Sequence, residues 1–291
     1  MKIISSPGEM TAWAAKQAGA GKRIGLVPTM GFFHAGHLGL MRLAGRHADL
    51  VVVSLFVNPA QFGPGEDLAA YPRDFDRDRE LAEKEGVAVL FVPDAASMYP
   101  GGFQTTVRVG RLTRYLCGAS RPGHFDGVAT VVCKLFHITA ADCAVFGEKD
   151  FQQLAVIRRM VADLNMAVEI IGHPIVREAD GLALSSRNAY LDERSRNSAL
   201  CLSRALALAQ KSAAEGILET RELAGRLRDF ILAFPGTEID YIAFIDSRSL
   251  EPVAAVDADT RLALAVKING RVRLIDNGPV LQPTASPGAT A

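Results

Sequence analysis

The sequence predicts an α/β fold: a parallel sheet with helices on both faces, followed by a smaller α+β unit. Three observations carry this. Short apolar runs alternate with helical periodicity up to Val176, a polar segment from Arg177 to Asn188 interrupts the alternation, and beyond it helices come first and strands after.

The strands of the first part are expected at Ile24–Val27, Leu50–Val57, Val87–Val92, Cys143–Phe146 and Val168–Val176, each a short apolar run. Helices are expected between them at Gly36–His47, Asp74–Glu85, Gly123–Thr139 and Phe151–Leu164, where apolar residues recur at helical spacing. After the polar break, one long helix is expected from Asp192 to about Ala214 and another from Thr220 to Phe234. Strands then follow near Ile239–Asp246, Arg261–Ile268 and Val272–Asp276. The reading is therefore residues 1–176 as one domain, 177–282 as a second, and 283–291 as a disordered tail of small, polar, Pro- and Gly-containing residues. In a parallel sheet of this kind ligands bind beyond the carboxyl ends of the strands, near the point where strand order reverses.

The bulk composition narrows the function classes. The chain has 291 residues, 49% of them hydrophobic and 22% charged, which fits a globular protein with a substantial core. Lys plus Arg and Asp plus Glu both number 32, so no overall field favours nucleic acid or an anionic membrane, and an anionic ligand must be held by local groups. Cys117, Cys133, Cys143 and Cys201 form no C-x-x-C pair, which argues against zinc or a disulfide framework and makes a reducing cytoplasm the expected location. No secretory signal and no membrane span are expected, since the longest apolar stretch lies near Leu50–Val57 and is far short of the ~18 residues a span needs.

The chemistry is expected in the loops that leave the strands. After the first strand comes Pro28-Thr29-Met30-Gly31-Phe32-Phe33-His34-Ala35-Gly36-His37, whose two histidines fall where a helix begins. Unpaired N–H groups and the positive end of the dipole attract phosphate there, and Gly36 lets a ligand approach the backbone. A plain strand–turn–helix with two polar residues accounts equally well for this motif by itself. After the second strand, Asn58 and Gln61 offer amide donors and acceptors to a polar substrate, or simply form a turn. At Phe146-Gly147-Glu148-Lys149-Asp150, Lys149 stands at a helix N-terminus, an unfavourable place for a cation unless an anion shares it. A surface ion pair with Glu148 or Asp150 is the alternative. Ser185-Ser186-Arg187 combines two hydroxyls with a guanidinium able to grip phosphate, or serves as a helix-capping loop. Arg121 and His124 open another helix and add candidates for anion binding or acid–base work. No P-loop and no G-x-G-x-x-G fingerprint occurs.

Taken together and in order, PTMGFFHAGH at 28–37, FVNPAQFGPGEDLAAYPRD at 56–74, SRPGHFDGVATVVCKLF at 120–136, FGEKDFQQL at 146–154 and READGLALSSRNAYL at 177–191 closely resemble the pantoate–β-alanine ligase family. The match is more loosely maintained in the C-terminal unit. The resemblance implies a Rossmann-like N-terminal domain of the HIGH-type nucleotidyltransferase superfamily that binds ATP and pantoate. It also implies a smaller C-terminal domain acting as lid and associated with a homodimer. The implied reaction joins D-pantoate to β-alanine through a pantoyl adenylate, releasing pyrophosphate and AMP.

On the same resemblance His34, His37, Lys149, Ser185, Ser186 and Arg187 are the catalytic set. Met30, Gly147, Asp150 and Val176 join several of these around ATP, while Gln61, Gln153 and Met30 hold pantoate. Tyr71, Arg121 and His124 fall on the β-alanine or pyrophosphate side. Mg²⁺ is expected to come with ATP, held mainly by its phosphates, with no organic prosthetic group, no nucleic acid and no membrane partner. Two positions depart from the family pattern. Ala35 stands where an acidic residue is usual, which predicts tuning rather than loss of activity, and His137 stands where Asn is common, away from the matched motifs. The rival reading is a nucleotidyltransferase of the same fold that leaves the nucleotide on a phosphorylated substrate.

Overall fold

The computed structural model describes residues 1–281; the tail expectation for 283–291 lies outside them. The described chain divides into two compact units. The first holds Met1–Val176 together with Leu184–Ser186, and the second holds Arg177–Ala183 and the residues from Arg187 onward. A single division after Val176 would have put Leu184–Ser186 in the second unit, so that expectation is corrected. The reason is local: the Leu184 N–H donates to the Val176 carbonyl at 2.9 Å, and the Ser186 hydroxyl to the Phe32 carbonyl at 3.3 Å.

The first unit runs β1 (Lys2–Ile4), α1 (Pro7–Gly19), β2 (Ile24–Thr29), α2 (Ala35–His47), β3 (Leu50–Leu55), α3 (Phe75–Lys84) and β4 (Val89–Phe91). It continues with α4 (Ala95–Met98), α5 (Leu116–Ser120), α6 (His124–Thr139), β5 (Cys143–Gly147), α7 (Phe151–Asp163) and β6 (Glu169–His173). Its six strands pair in parallel in the order β1-β4-β3-β2-β5-β6. Chain order moves outward from β2 on one side and resumes at β5 on the other, so strand order reverses between β2 and β5. Their carboxyl ends are Thr29 and Gly147, which places both motif loops at the crevice where α/β sheets bind ligands. β2 and β3 are buried along almost their whole length, as strands covered on both faces must be.

The periodicity did not anticipate β1 or α1. β1 spans only Lys2–Ile4, too short for periodicity to show. α1 buries only Met10 and Ala14, a weak stripe; its readable signal is the cap, with the Ser6 side chain accepting from the Glu9 N–H and Pro7 in the first turn.

In the second unit the expected long helix is two, α8 (Glu193–Ala199) and α9 (Cys201–Ala214), with Leu200 at the join still right-handed (φ −62°, ψ −14°). α10 (Thr220–Leu232) precedes an antiparallel sheet of β7 (Thr237–Asp246), β8 (Thr260–Ile268) and β9 (Val272–Pro279). Leu202, Leu206, Leu223, Leu227 and Ile231 from the helices close on Phe244, Leu262, Leu264 and Leu274 of the sheet to form its core. The polar 177–183 segment is fastened to this unit. Arg177 makes a bidentate pair with the buried Asp276 at 2.7 and 2.9 Å, and Arg196 reaches Glu178 and Asp180 at 2.7 Å.

Candidate active site

β2 ends at Thr29, whose hydroxyl donates to the Ser54 carbonyl at 2.7 Å and accepts weakly from the Gly31 N–H. The chain then turns through two residues in the left-handed region, Gly31 at φ +88° and Phe32 at φ +54°. The buried carboxylate of Asp78, on α3, accepts from the Phe32 and Phe33 N–H groups at 2.6 Å each. Burial pushes the Asp78 carboxyl above its usual range, partly offset by those two hydrogen bonds. Arg77 lies over the Phe32 ring, 5.5 Å from its centroid.

The turn delivers His34 to the N-cap of α2 and His37 to its first turn, with ring centroids 4.1 Å apart. The His34 N–H donates to His37 Nδ1 at 3.3 Å. That bond requires the neutral tautomer with its proton on Nε2, and Nε2 has no hydrogen-bond partner among the described residues. Burial, then His34 and Lys149, hold the His37 pKa well below its ordinary value. His37 is therefore a neutral N–H donor at the positive end of a helix, suited to a phosphate oxygen.

Lys149 lies in a 3₁₀ turn, Glu148–Asp150, between β5 and α7. Its side chain is only 19% exposed and its ammonium is 3.7 Å from the Asp150 carboxylate. The ion pair with Asp150 given as the alternative is present, but on a lysine that is largely enclosed, and the Lys149 charge also helps to lower the His37 pKa, which relates the β5–α7 loop to the β2–α2 loop.

Gln61 and Met30 also come together, the Gln61 amide N–H lying 3.3 Å from Met30 Sδ. The turn reading fits Asn58, which is buried and fully engaged: its Nδ2 donates to Gln61 Oε1 at 3.1 Å and to the Gly127 carbonyl at 3.2 Å. Its Oδ1 accepts from the Ala60 N–H and the Tyr99 hydroxyl. Burial raises the Tyr99 hydroxyl to about 12, so it stays a donor. Gln153, partly buried, occupies the first turn of α7 beside the buried Gln152, which donates to the Leu112 and Tyr115 carbonyls.

Arg121 and His124 form a closed cluster. The guanidinium grips Glu66 through two bonds of 2.6 Å, reaches the Gln61 carbonyl at 3.3 Å, and donates to His124 Nε2 at 3.0 Å. His124 Nδ1–H donates in turn to the Gln61 carbonyl at 2.8 Å, and burial, aided by Arg121, lowers its pKa to about 4. Tyr71 is buried with its ring edge-on to Phe62. Val176 and Gly147 lie in the first unit, at its junction with the second and at the end of β5; Ser185 belongs to the first unit, while Arg187 belongs to the second. Sequence reasoning missed Asp78, Glu66 and the supporting role of Asn58. Asp78 had one visible trace, a carboxylate on a highly charged helix with no cationic residue three or four positions away.

Fold and loops together define an α/β domain with a close histidine pair, His37 of it held neutral, and an enclosed lysine converging where strand order reverses, a class suited to nucleotide phosphates. Residues 2–279 match the model of the pantoate-beta-alanine ligase family, and the chain belongs to that family. It is 57% identical over 277 residues to the pantothenate synthetase of Heliobacterium modesticaldum, covering 95% of this chain and 98% of that protein. It is equally 57% identical to that of Geobacter sulfurreducens over 281 residues, at 95% and 98% coverage. Among solved structures, pantothenate synthetase from Thermus thermophilus superposes with TM-score 0.91 at 46% identity, over 97% of this chain and 100% of that one. The Francisella tularensis ligase, complexed with beta-gamma ATP and beta-alanine, gives 0.81 at 33%, over 96% and 98%. Among the described residues no helix is long and apolar enough to cross a membrane.

Proposed function

We propose that this chain condenses D-pantoate with β-alanine at the expense of ATP, through a pantoyl adenylate. The observation that carries the reading is the fixed Nε2–H tautomer of His37 at the head of α2, with Lys149 within electrostatic reach. In the first step a pantoate carboxylate oxygen attacks the α-phosphorus and pyrophosphate leaves with the bond electrons. In the second the β-alanine amine attacks the acyl carbon, AMP departs, and the amine loses a proton.

The obstacle in the first step is charge, since a carboxylate must approach a triphosphate. His37 and His34, Lys149, Ser185 and Arg187 are assigned to offset it, with the dipole of α2 behind them. Ser186 is assigned a supporting part, because it is buried with its hydroxyl on the Phe32 carbonyl. Gln61, Gln153 and Met30 are assigned to pantoate, and Gly147, Asp150 and Val176 to adenosine; the 3.3 Å approach of Gln61 to Met30 supports the first group. Arg121, His124 and Tyr71 are better read as the frame behind the Gln61 loop than as groups that meet β-alanine. Mg²⁺ enters as part of the ATP substrate, and no group of three or more potential ligands among the described residues gathers to hold it.

The second unit is assigned the role of cover that keeps water from the adenylate, in a cytoplasmic homodimer. The test is AMP release from ATP, followed with each acceptor omitted in turn. Release is expected only with pantoate and β-alanine both present, and pyrophosphate exchange with pantoate alone. A stable product that retained AMP would instead mark a nucleotidyltransferase.

A further inference from the structure

Asp78 lies on α3, well separated in sequence from the histidine motif, yet both its carboxylate oxygens close on that motif's backbone at 2.6 Å. The residue it holds, Phe32, is left-handed at φ +54°, a conformation in which a bulky residue is strained. The carbonyl of the same residue accepts from the Ser186 hydroxyl, so Phe32 is held at both its N–H and its C=O. Gly31, just before it, is left-handed as well, and the turn packs so closely that a Cβ there would lie 3.0 Å from the Asp78 carboxylate and 3.3 Å from Leu55. Two residues further on, the His34 N–H must point at His37 Nδ1 for the Nε2–H tautomer to be fixed.

From this arrangement we infer that Asp78 is a positioning residue of the active site: it clamps Phe32 in the left-handed region and so sets the orientation and tautomer of His37. The inference rests on the proposed reaction only for its kinetic readout. A carboxylate suits the task because it accepts at both oxygens, whereas an amide would turn an N–H donor against one of the two peptide N–H groups. A small rotation of the turn moves His37 by enough to matter, since displacements near 1 Å cost about 100-fold in well-oriented sites.

The experiment compares Asp78→Asn in the natural chain and in a Phe32→Gly background, where glycine adopts the left-handed conformation without strain. Two quantities are read: kcat for pantoate-dependent pyrophosphate exchange, and the ¹⁵N shifts of the His37 imidazole, which report its tautomer with no substrate present. In the natural chain Asp78→Asn is expected to lower kcat about 10- to 100-fold, leave the pantoate KM within threefold, and give His37 a mixed-tautomer spectrum. In the glycine background the same change is expected to alter kcat less than threefold. The glycine pair also serves if Asp78→Asn alone folds poorly. An unchanged His37 spectrum, an unaltered kcat, or an equal loss in both backgrounds overturns the assignment. Absence of exchange in the unmutated protein counts against the proposed reaction instead, while the His37 spectrum still tests the clamp.

Discussion

Two histidines of the first unit, His37 in the first turn of α2 and His124 at the head of α6, share most of what usually singles out a catalytic imidazole. Both are partly buried, both stand at the positive end of a helix, and burial is the leading cause of a lowered pKa in each. They differ in what their nitrogens are left to do. His37 accepts one bond, from a backbone N–H, and keeps the Nε2 proton for a ligand. His124 donates to the Gln61 carbonyl and accepts from Arg121, so both nitrogens are satisfied inside the protein. A perturbed pKa therefore marks a constrained histidine, and only the hydrogen-bond count separates one left with a donor to offer from one whose nitrogens are both engaged by the protein.

The comparison is most severely tested at the His37 end. Lys149→Ala is expected to reduce pantoate-dependent pyrophosphate exchange by about 1,000-fold with the circular dichroism spectrum unchanged, since it removes the enclosed cation beside that imidazole. An exchange rate near that of the parent would remove Lys149 from the site. His37→Ala should cost about 100-fold in kcat by loss of one preorganised donor, measured in the same assay.

At the other end, His124→Ala should act mainly on binding. The Gln61 carbonyl loses one of its two side-chain donors, so the pantoate KM should rise about tenfold while kcat falls less than threefold. A kcat loss matching that of His37→Ala would erase the distinction drawn between the two residues.

The smallest effect concerns acid stability. His124 titrates near 4 in the folded chain against 6.5 when unperturbed, so below pH 6.5 the unfolded chain binds a proton that the folded one does not. Stability must then fall as pH is lowered towards 4, by at most about 1.4 kcal/mol per unit. His124→Gln should flatten that decline by about 1 kcal/mol between pH 7 and pH 5, allowing for solvent screening, as read from urea midpoints. An identical decline in both proteins would show that the imidazole is accessible to protons in the folded state.

Much of this site was legible because its donors are local. The run from Met30 to His37 carries its own strand end, glycine and helix start, and Lys149 declares itself by violating the dipole rule at α7. What stayed hidden depends on partners distant in sequence. Nothing near Asp78 announces that its acceptor role lies at Phe32 and Phe33, and nothing near Arg121 announces Glu66. Asn58 read as a possible substrate ligand because its saturation by Tyr99 and Gly127 is a tertiary fact. The fold was legible for the opposite reason: β2, β3 and β5 are buried strands whose apolar runs identify them without reference to neighbours. β1 and α1 escaped because three residues and a two-residue stripe leave almost no periodic trace.

The return of Leu184–Ser186 to the first unit sets an order of events during synthesis. The histidine turn emerges from the ribosome early, yet the hydroxyl that completes its Phe32 carbonyl is supplied 154 residues later, after the chain has already begun the second unit. A nascent chain stopped at Val176 would carry every strand of the six-stranded sheet and still lack that hydrogen bond. The histidine turn is thus among the first segments made and among the last to be finished.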